Sequence, residues 1–213
     1  MKIITQELFD PCFNEKKIKV FMRRLDLISN PVSGNKYFKL KYNIDYAIKS
    51  KLNTIITFGG AYSNHILATS IFSKENNLKS VGFIRGEETL PLNSTLTDAV
   101  KNGMEIIYLS RKNYRKINDE EYLNQLRIKY KKSYIIPEGG TNSLAIRGTE
   151  SIIKSDEKFE YICCPIGTGG TISGIINSSN HNQKIIGFSA IKGVKNIIDN
   201  ISKNVNKDNW NIN

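Results

Sequence analysis

The sequence has few of the residues that build disulfide networks or metal centres. Among its 213 residues are three cysteines (Cys12, Cys163 and Cys164) and two histidines. Three cysteines are too few for a disulfide-stabilised fold, and adjacent cysteines rarely pair with each other. The histidines and the Cys163–Cys164 pair also lack the spacing of metal ligands. We therefore predict a reduced, cytoplasmic protein without a metal ion.

Long apolar runs are also absent. No apolar segment approaches the roughly 20 residues of a membrane-spanning helix, and residues 1–20 lack the apolar stretch of a signal peptide. With 39% hydrophobic and 24% charged residues, the composition is ordinary for a globular chain. These features predict no membrane contact, and they exclude a disordered or collagen-like protein.

Positive charge is in excess, with 31 Lys and Arg against 20 Asp and Glu. Such an excess is one signature of a nucleic-acid-binding protein, because basic surfaces attract phosphate polyanions. Here the lysines are spread along the whole chain, and the densest basic stretch, 127–132, lies on a predicted amphipathic helix with one aromatic residue, Tyr130. Compositional drift, with abundant Ile and Asn, explains the same charge. We predict that the chain does not bind nucleic acid.

Apolar runs alternate with helical patterns along most of the chain, which is typical of right-handed crossovers between parallel strands. We therefore predict an α/β fold with parallel sheets and helices on both faces. The predicted strands are 17–22, 54–58, 80–84, 105–109, 134–136, 161–166 and 184–188. The predicted helices are one with an apolar stripe of Leu40, Ile44, Ala47 and Ile48, and those at 62–75, 94–102, 120–131, 143–154 and 170–177.

A glycine-rich loop, 167–171, follows the predicted strand 161–166 and precedes a predicted helix. Such a turn gathers free backbone N–H groups around one point, and the helix dipole adds attraction for an anion. The P-loop lysine is missing, and Ile172 stands where a dinucleotide fingerprint has its third glycine. The loop therefore predicts a site for a single phosphate group. A turn that only packs strand against helix is the alternative.

A lysine at an unusual position lies in segment 33–40. Ser33 or Asn35 can cap a helix there, which places Lys36 in the first turn. The positive end of the helix dipole lowers the pKa of an amine at that position, and a neutral amine can attack a carbonyl group. Lys39 and Lys41 lie deeper in the helix, where this argument does not apply. An ordinary surface lysine is the alternative for Lys36.

A third motif, 59–65, joins a predicted strand to a predicted helix. Ser63 and Asn64 would lie at the start of this helix, where hydroxyl, amide and backbone donors can face a carboxylate. His65 follows, without the Ser/His/Asp order of a hydrolase. Ser63 or Asn64 could instead serve only as a helix cap.

These motifs occur in the same order in one enzyme family. Segments 20–26 and 33–40 together resemble the cofactor-lysine region of the 1-aminocyclopropane-1-carboxylate deaminase and D-cysteine desulfhydrase family. These enzymes depend on pyridoxal 5'-phosphate and have the tryptophan-synthase-β fold, fold type II. Segment 59–65 resembles their substrate loop, 136–142 a further family segment, and 167–171 their phosphate-binding loop. The similarity extends in order from about residue 20 to residue 193.

The resemblance implies a role for each motif. Lys36 would bind the cofactor aldehyde covalently, and Asn64 would contact the pyridine hydroxyl. Ser63 would bind the substrate carboxylate and take part in catalysis, with Asn64 and His65 as further substrate-binding residues. The cofactor phosphate would be held by Gly167, Thr168, Gly169, Gly170 and Thr171.

The resemblance also implies a domain organisation and a reaction. A large cofactor-binding domain, 1–49 and 150–213, would be split around a smaller inserted domain, 50–149. The substrate would be a small amino acid. A lyase acting on D-cysteine forms pyruvate, sulfide and ammonia, with Lys36 as the base. A deaminase, which acts as a hydrolase on 1-aminocyclopropane-1-carboxylate, forms 2-oxobutanoate and ammonia, with Ser63 as the candidate for ring opening.

The C-terminal region departs from the family pattern. Family members continue past the point where this sequence stops, and the additional part supplies tyrosines over the substrate and a hydroxyl that faces the pyridine nitrogen. Residues 201–213 are polar and rich in asparagine, and no closing strand is predicted there. The sequence therefore does not determine which amino acid is the substrate or whether the chain forms a homodimer. The alternatives are a non-catalytic fragment of the fold and a generic phosphate-binding α/β module.

Overall fold

The computed structural model describes residues 3–28, 32–190 and 194–213. Strands and helices alternate through most of these residues, and the strands they contain form three sheets. The strands are β1 (Ile4–Leu8), β2 (Val20–Arg24), β3 (Thr54–Gly60), β4 (Lys79–Arg85), β5 (Met104–Leu109), β6 (Ser133–Ile136), β7 (Tyr161–Ile166), β8 (Lys184–Ser189) and β9 (Trp210–Ile212). The helices are α1 (Pro11–Glu15), α2 (Asn35–Lys49), α3 (Asn64–Glu75), α4 (Ser94–Lys101), α5 (Arg111–Tyr114), α6 (Glu120–Lys129), α7 (Ser143–Thr149), α8 (Gly170–Ser178) and α9 (Val194–Ser202).

The largest sheet has four parallel strands in the order β5-β4-β3-β6. Six consecutive residues of β3, from Thr54 to Gly59, are buried, as expected for an interior strand of a parallel sheet. Gly60 pairs with Arg85, and Arg85 pairs with Leu109, so these three strands end side by side. The loops that follow them therefore meet at one edge of the sheet, where ligands collect in such folds.

A second parallel sheet has the order β7-β8-β9. Its buried face packs Ile162, Cys164, Ile166 and Ile185 against α8 and against Phe38 of α2. The prediction that residues 201–213 hold no strand is wrong, because Trp210–Ile212 extends this sheet beside β8. This strand has only three residues, and its pairing with β8 is a tertiary contact that a local pattern does not reveal.

The N-terminal region forms an antiparallel pair, β1 and β2, which was not predicted. Most residues of this pair are exposed or only half-buried, so no apolar alternation marks β1 in the sequence. The predicted strand 17–22 begins later and runs as Val20–Arg24, because α1 and its C-terminal turn occupy the preceding residues. The remaining predicted strands match observed ones within a few residues.

Helices α2 and α7 pack closely, and this contact positions the site described below. The backbone carbonyl of Phe38 lies so near Gly148 that a Cβ there would fall 2.0 Å from the carbonyl oxygen. Leu40, Ile44 and Ala47 are buried as predicted, whereas Ile48 is exposed. The predicted helix 143–154 is too long: α7 ends at Thr149 and continues as a 3-10 turn over Glu150–Ile152.

All strands of the four-stranded sheet lie between Thr54 and Ile136, and the three-stranded sheet follows in the chain. The division into a split domain, 1–49 and 150–213, around an inserted domain, 50–149, stays a prediction. Within the described ranges, no helix combines the length and apolar character needed to cross a bilayer.

Candidate active site

A cavity of about 160 Å³ lies where three segments meet: the start of α2, the loop after β6 and the loop between β7 and α8. Its polar wall consists of the amines of Lys36 and Lys39, the amide of Asn35, and the hydroxyls of Thr168 and Thr171. None of the described residues that line it carries a carboxylate. The wall is therefore suited to an anionic ligand.

The glycine-rich loop forms the predicted strand–turn–helix connection. Strand β7 ends at Ile166, and α8 begins at Gly170. Gly169 is the N-cap residue of α8 and has a φ of 86°, in the left-handed region that favours glycine. A Cβ at Gly169 would also lie 3.0 Å from Cγ1 of Ile201. Both constraints explain why glycine stands at this position.

The start of α2 differs from the prediction that Ser33 or Asn35 caps the helix. Gly34 is the N-cap residue, and no side chain caps this end. The Asn35 amide instead donates to the hydroxyl oxygen of Thr171 at 2.9 Å, which ties α2 to α8. Because the Thr171 oxygen accepts this bond, its own hydrogen is available to a ligand in the cavity.

Lys36 is the second residue of α2 and is half-buried. Its amine makes one hydrogen bond, to Oδ1 of Asn35 at 3.2 Å. Burial lowers the pKa of Lys36, in the direction predicted from the sequence. The physical cause is the loss of solvation of the charged amine on burial, a different cause from the helix dipole used in that prediction.

Lys39, for which the helix-dipole argument predicted nothing unusual, lies in a more extreme environment than Lys36. Its side chain is almost fully buried, and its amine donates to the Gly139 carbonyl at 2.9 Å and to the hydroxyls of Thr141 at 3.0 Å and Thr168 at 3.3 Å. Burial, followed by the charge of nearby Lys36, lowers the pKa of Lys39 to about 7. Lys39 is therefore a fixed donor on the cavity wall.

The loop after β6 is joined to the glycine-rich loop by hydroxyl groups. The oxygens of Thr141 and Thr168 lie 2.5 Å apart, and both accept from Lys39. The next residue, Asn142, caps α7 by accepting from the Ala145 N–H at 2.9 Å. The segment 136–142, which resembles a family segment, thus supports the cavity wall through its contacts with Lys39 and Thr168.

Ser63 and Asn64 lie at the start of α3, outside this cavity. The Ser63 hydroxyl accepts from the Ile66 N–H at 3.4 Å and caps the helix, one of the two interpretations left open by the sequence. Asn64 is exposed, and its side chain makes no hydrogen bond to another described residue. Neither residue lines the cavity of Lys36.

His65 is buried beneath the loop after β6, with about 1% of its surface exposed. Its Nε2 lies 2.8 Å from the Thr57 hydroxyl, which itself donates to the Ile136 carbonyl. Nε2 must therefore carry the ring hydrogen, while Nδ1 is buried without a partner in the described residues. Burial, with smaller contributions from Lys36 and Lys39, lowers the pKa of His65 to about 3. His65 does not line the cavity of Lys36, and its role in substrate binding stays a prediction.

The chain matches known proteins over most of its length. A protein of Thermotoga maritima named "Putative 1-aminocyclopropane-1-carboxylate deaminase" is 36% identical over 164 residues, which cover 73% of this chain and 52% of that protein. The bifunctional D-cysteine desulfhydrase/1-aminocyclopropane-1-carboxylate deaminase of Arabidopsis thaliana is 33% identical over 177 residues, 74% of this chain and 44% of that protein. The chain thus spans about half the length of the curated relatives it matches. No family model matches the sequence.

Solved structures agree with these relatives. The crystal structure of an ACC deaminase homologue has a TM-score of 0.77 and 24% identity, covering 100% of this chain and 71% of its own. A pyridoxal 5'-phosphate-dependent aspartate racemase has a TM-score of 0.67 and 15% identity, covering 93% and 59%. The fold is that of fold-type II pyridoxal-phosphate enzymes. The resemblance to the 1-aminocyclopropane-1-carboxylate deaminase and D-cysteine desulfhydrase family is confirmed.

The structure brings together most, but not all, of the site residues implied by the family resemblance. The cavity is lined by Lys36, Gly167, Thr168, Gly169 and Thr171, whereas Gly170, the first residue of α8, does not line it. The sequence analysis missed Lys39 and Thr141. Lys39 follows Lys36 by three residues, a spacing that places both on one helix face, and this signal could have identified it. The functional roles of all these residues stay predictions.

Proposed function

We propose that the chain carries the pyridoxal-phosphate site of an enzyme that acts on a small amino acid, as D-cysteine desulfhydrases and 1-aminocyclopropane-1-carboxylate deaminases do. The main support is one observation: the half-buried amine of Lys36 and the loop 167–171 face the same small cavity. The family resemblance adds the identity of the cofactor. The proposal includes the split-domain organisation and a cytoplasmic location.

The residues on the cavity wall fit a phosphate group. Lys39, Thr168 and Thr171 supply an amine and two hydroxyls, and the start of α8 supplies backbone donors and the positive end of its dipole. A bound phosphate would favour the charged form of Lys39 and so reverse the effect of burial on its pKa. Charge-assisted hydrogen bonds of this kind are the stronger ones in proteins.

The two lysines suit different tasks. Lys39 already uses its amine in three hydrogen bonds, whereas Lys36 has one weak bond to Asn35 and a lowered pKa. Because it has only this one bond, the Lys36 amine is free to approach an aldehyde, and its lowered pKa makes it more often neutral, and so more nucleophilic, than an exposed lysine. When bound, pyridoxal phosphate withdraws electrons from the substrate's Cα. Lys36 would then be the base that removes a proton from this carbon.

The position of Ser63 favours one of the two substrate classes. Ring opening of a cyclopropane amino acid needs a group other than Lys36, because that substrate has no α-proton. The Ser63 hydroxyl caps α3 and faces a different cavity. A substrate with an α-proton, such as D-cysteine, requires only the lysine. We therefore propose the lyase reaction, which forms pyruvate, sulfide and ammonia.

The experiment is borohydride reduction of the cofactor-loaded chain, followed by peptide mass analysis. We expect the added mass on the peptide that contains Lys36, and loss of visible absorbance in Lys36→Ala. Lys41→Ala, an exposed lysine on the same helix, is the matched control and should keep the absorbance. A label on Lys39, or none, would overturn the assignment. Label without pyruvate from D-cysteine, measured on monomeric chain, would favour the non-catalytic alternative.

A further inference from the structure

A second cavity, of about 420 Å³, opens at the carboxyl edge of the four-stranded sheet. It is lined by the loop 60–63 that follows β3 and by Arg85, Gly86 and Arg111, which follow or end β4 and β5. In the sheet, β4 and β6 lie on opposite sides of β3. The second cavity is therefore on the β4 side of loop 60–63, whereas Gly139 of the first cavity follows β6.

Both arginines are held by the strand ends. Arg85 is the last residue of β4 and pairs with Gly60 and Leu109. The N–H of Gly86 donates to the Leu109 carbonyl at 2.8 Å, which ties the end of β4 to the end of β5. Arg111 follows two residues after Leu109. The backbone therefore fixes where both side chains start.

A buried tyrosine further constrains the pair. The guanidinium carbon of Arg85 lies 5.8 Å from the ring centroid of Tyr114, within the range of a cation–π contact. Tyr114 is buried, and its hydroxyl donates to Glu138 at 2.8 Å. Tyr114 is also three residues after Arg111, so the two lie on the same side of α5. One anchored ring thus supports the guanidinium of Arg85 beside the position of Arg111.

Neither of these arginines forms an ion pair with a described residue. In the part of the chain that the structure describes, no carboxylate oxygen lies within 4.0 Å of either guanidinium. The Ser63 hydroxyl, which accepts from Ile66, keeps its own hydrogen for another partner. The cavity therefore combines two cations with a hydroxyl donor.

We propose that this second cavity is an oxyanion site, in which Arg85 and Arg111 bind a carboxylate or a phosphate group. Planar guanidinium groups match the geometry of such anions and bind them through paired hydrogen bonds. The anion has two sources: a free anion in solution, or the distal acidic group of an amino-acid substrate. Of these two sources, only the acidic group of a substrate depends on the proposed function.

The test is a titration of the purified chain with inorganic phosphate, followed by NMR of the arginine Nε–Hε groups. No arginine is among the described residues that line the first cavity, so these signals report on the second. We expect saturable shifts of the Arg85 and Arg111 signals, each assigned by its loss in the Gln variant. Arg85→Gln or Arg111→Gln should weaken phosphate binding about tenfold or more.

Lys112→Gln is the matched control, because it removes the same charge from the same helix but does not line the cavity. Its dissociation constant should stay within about twofold of the unmodified chain. An equal loss in Lys112→Gln, or shifts that rise linearly without saturation, would show only general attraction to a chain of net charge +11. Either result would overturn the proposal.

The source is distinguished with O-phospho-D-serine on the cofactor-loaded chain. If the anion is part of the substrate, O-phospho-D-serine should bind at least about tenfold more tightly than inorganic phosphate. This difference in affinity should disappear in Lys36→Ala. Equal affinities support a free anion. Borohydride labelling of Lys36 is measured in parallel, so failure of the arginine site is distinguished from failure of the proposed function.

Discussion

Lys39 shows that helix position alone is a poor guide to the charge of a lysine. The sequence argument singled out Lys36, in the first turn, where the dipole acts, and it did not extend to Lys39. Lys39 is one turn further on and more deeply buried, and its pKa is lowered further, to about 7. Desolvation depends on Gly139, Thr141 and Thr168, which surround the amine and lie about 100 or more residues away in the chain.

The lowered pKa of Lys39 has a consequence for stability. Between pH 7 and 10.5 the unfolded chain keeps this proton and the folded chain has lost it, so the free energy of unfolding should rise with pH. The rise from one such group is about 1.4 kcal/mol per pH unit. Denaturant unfolding across this range should give a steeper slope in the native chain and in Lys41→Met than in Lys39→Met, by about 1.4 kcal/mol per pH unit, while the lowered pKa of Lys36 contributes to the slope in all three. A slope that Lys39→Met leaves unchanged would contradict the assignment.

The contact between Gly140 and His65 provides a second residue-scale prediction. Gly140 has a φ of 69°, and a Cβ there would lie 2.9 Å from Cε1 of the buried imidazole. Gly103 has a φ of 87° with open space around it, so Gly103→Ala measures the backbone strain alone. We expect Gly140→Ala to lower the free energy of unfolding by roughly 1–3 kcal/mol more than Gly103→Ala. Thermal or denaturant unfolding gives both values.

A double substitution is the control for this contact. In a His65→Ala background the excess cost of Gly140→Ala should largely disappear, because the opposing ring is gone. An excess that persists would mean that Gly140 is constrained by something other than His65.

At the scale of elements, a strand could be predicted from the sequence where both of its faces are buried, or where buried and exposed residues alternate along it. β3, β4, β7 and β8 and the glycine-rich loop were predicted for this reason, and the parallel α/β class is confirmed. The missed strands, β1 and β9, are an exposed strand and a strand of three residues. The cap of α2 was misassigned because Asn35 bonds to Thr171, 136 residues away, rather than to its own helix.

The turn between β7 and α8 carries the element-scale prediction. Gly169→Asp would place a negative charge at the N-terminus of α8, where the cofactor phosphate is proposed to bind. Gly169→Asn has nearly the same shape and the same tolerance of positive φ, so the two variants differ mainly in charge. We expect the pyridoxal-phosphate affinity of the Asp variant to be at least about tenfold below that of the Asn variant.

Equilibrium dialysis measures both affinities, and circular dichroism checks that both variants are folded. Affinities of both folded variants equal to that of the native chain would show that the phosphate lies elsewhere. Equal losses relative to the native chain would point to steric contact with Ile201, which lies 3.0 Å from the Cβ position.

At the scale of the whole molecule, one face of the three-stranded sheet is open to solvent. Tyr161, Cys163 and Pro165 share this face of β7, and their neighbours on β8 include Phe188. Tyr161 is 56% exposed and Phe188 is 43% exposed. Sheets with parallel strands usually have both faces covered. The apolar character of this face therefore sets how the 213-residue chain behaves in solution.

We expect the 213-residue chain to self-associate through this face and to be a poor catalyst in that state. Its net charge of +11 opposes association at low ionic strength, so raising the salt concentration should increase the apparent mass in light scattering.

Phe188→Lys adds a charge within the apolar face and should keep the chain monomeric at salt concentrations where the native chain associates. Phe9→Lys, an equally apolar and more exposed position outside this sheet, is the matched control and should leave association unchanged. Association that falls with salt, or that Phe9→Lys suppresses as strongly as Phe188→Lys, would refute the assignment to this face. Pyruvate formation from D-cysteine at roughly one turnover per second or faster would refute the second part of the expectation.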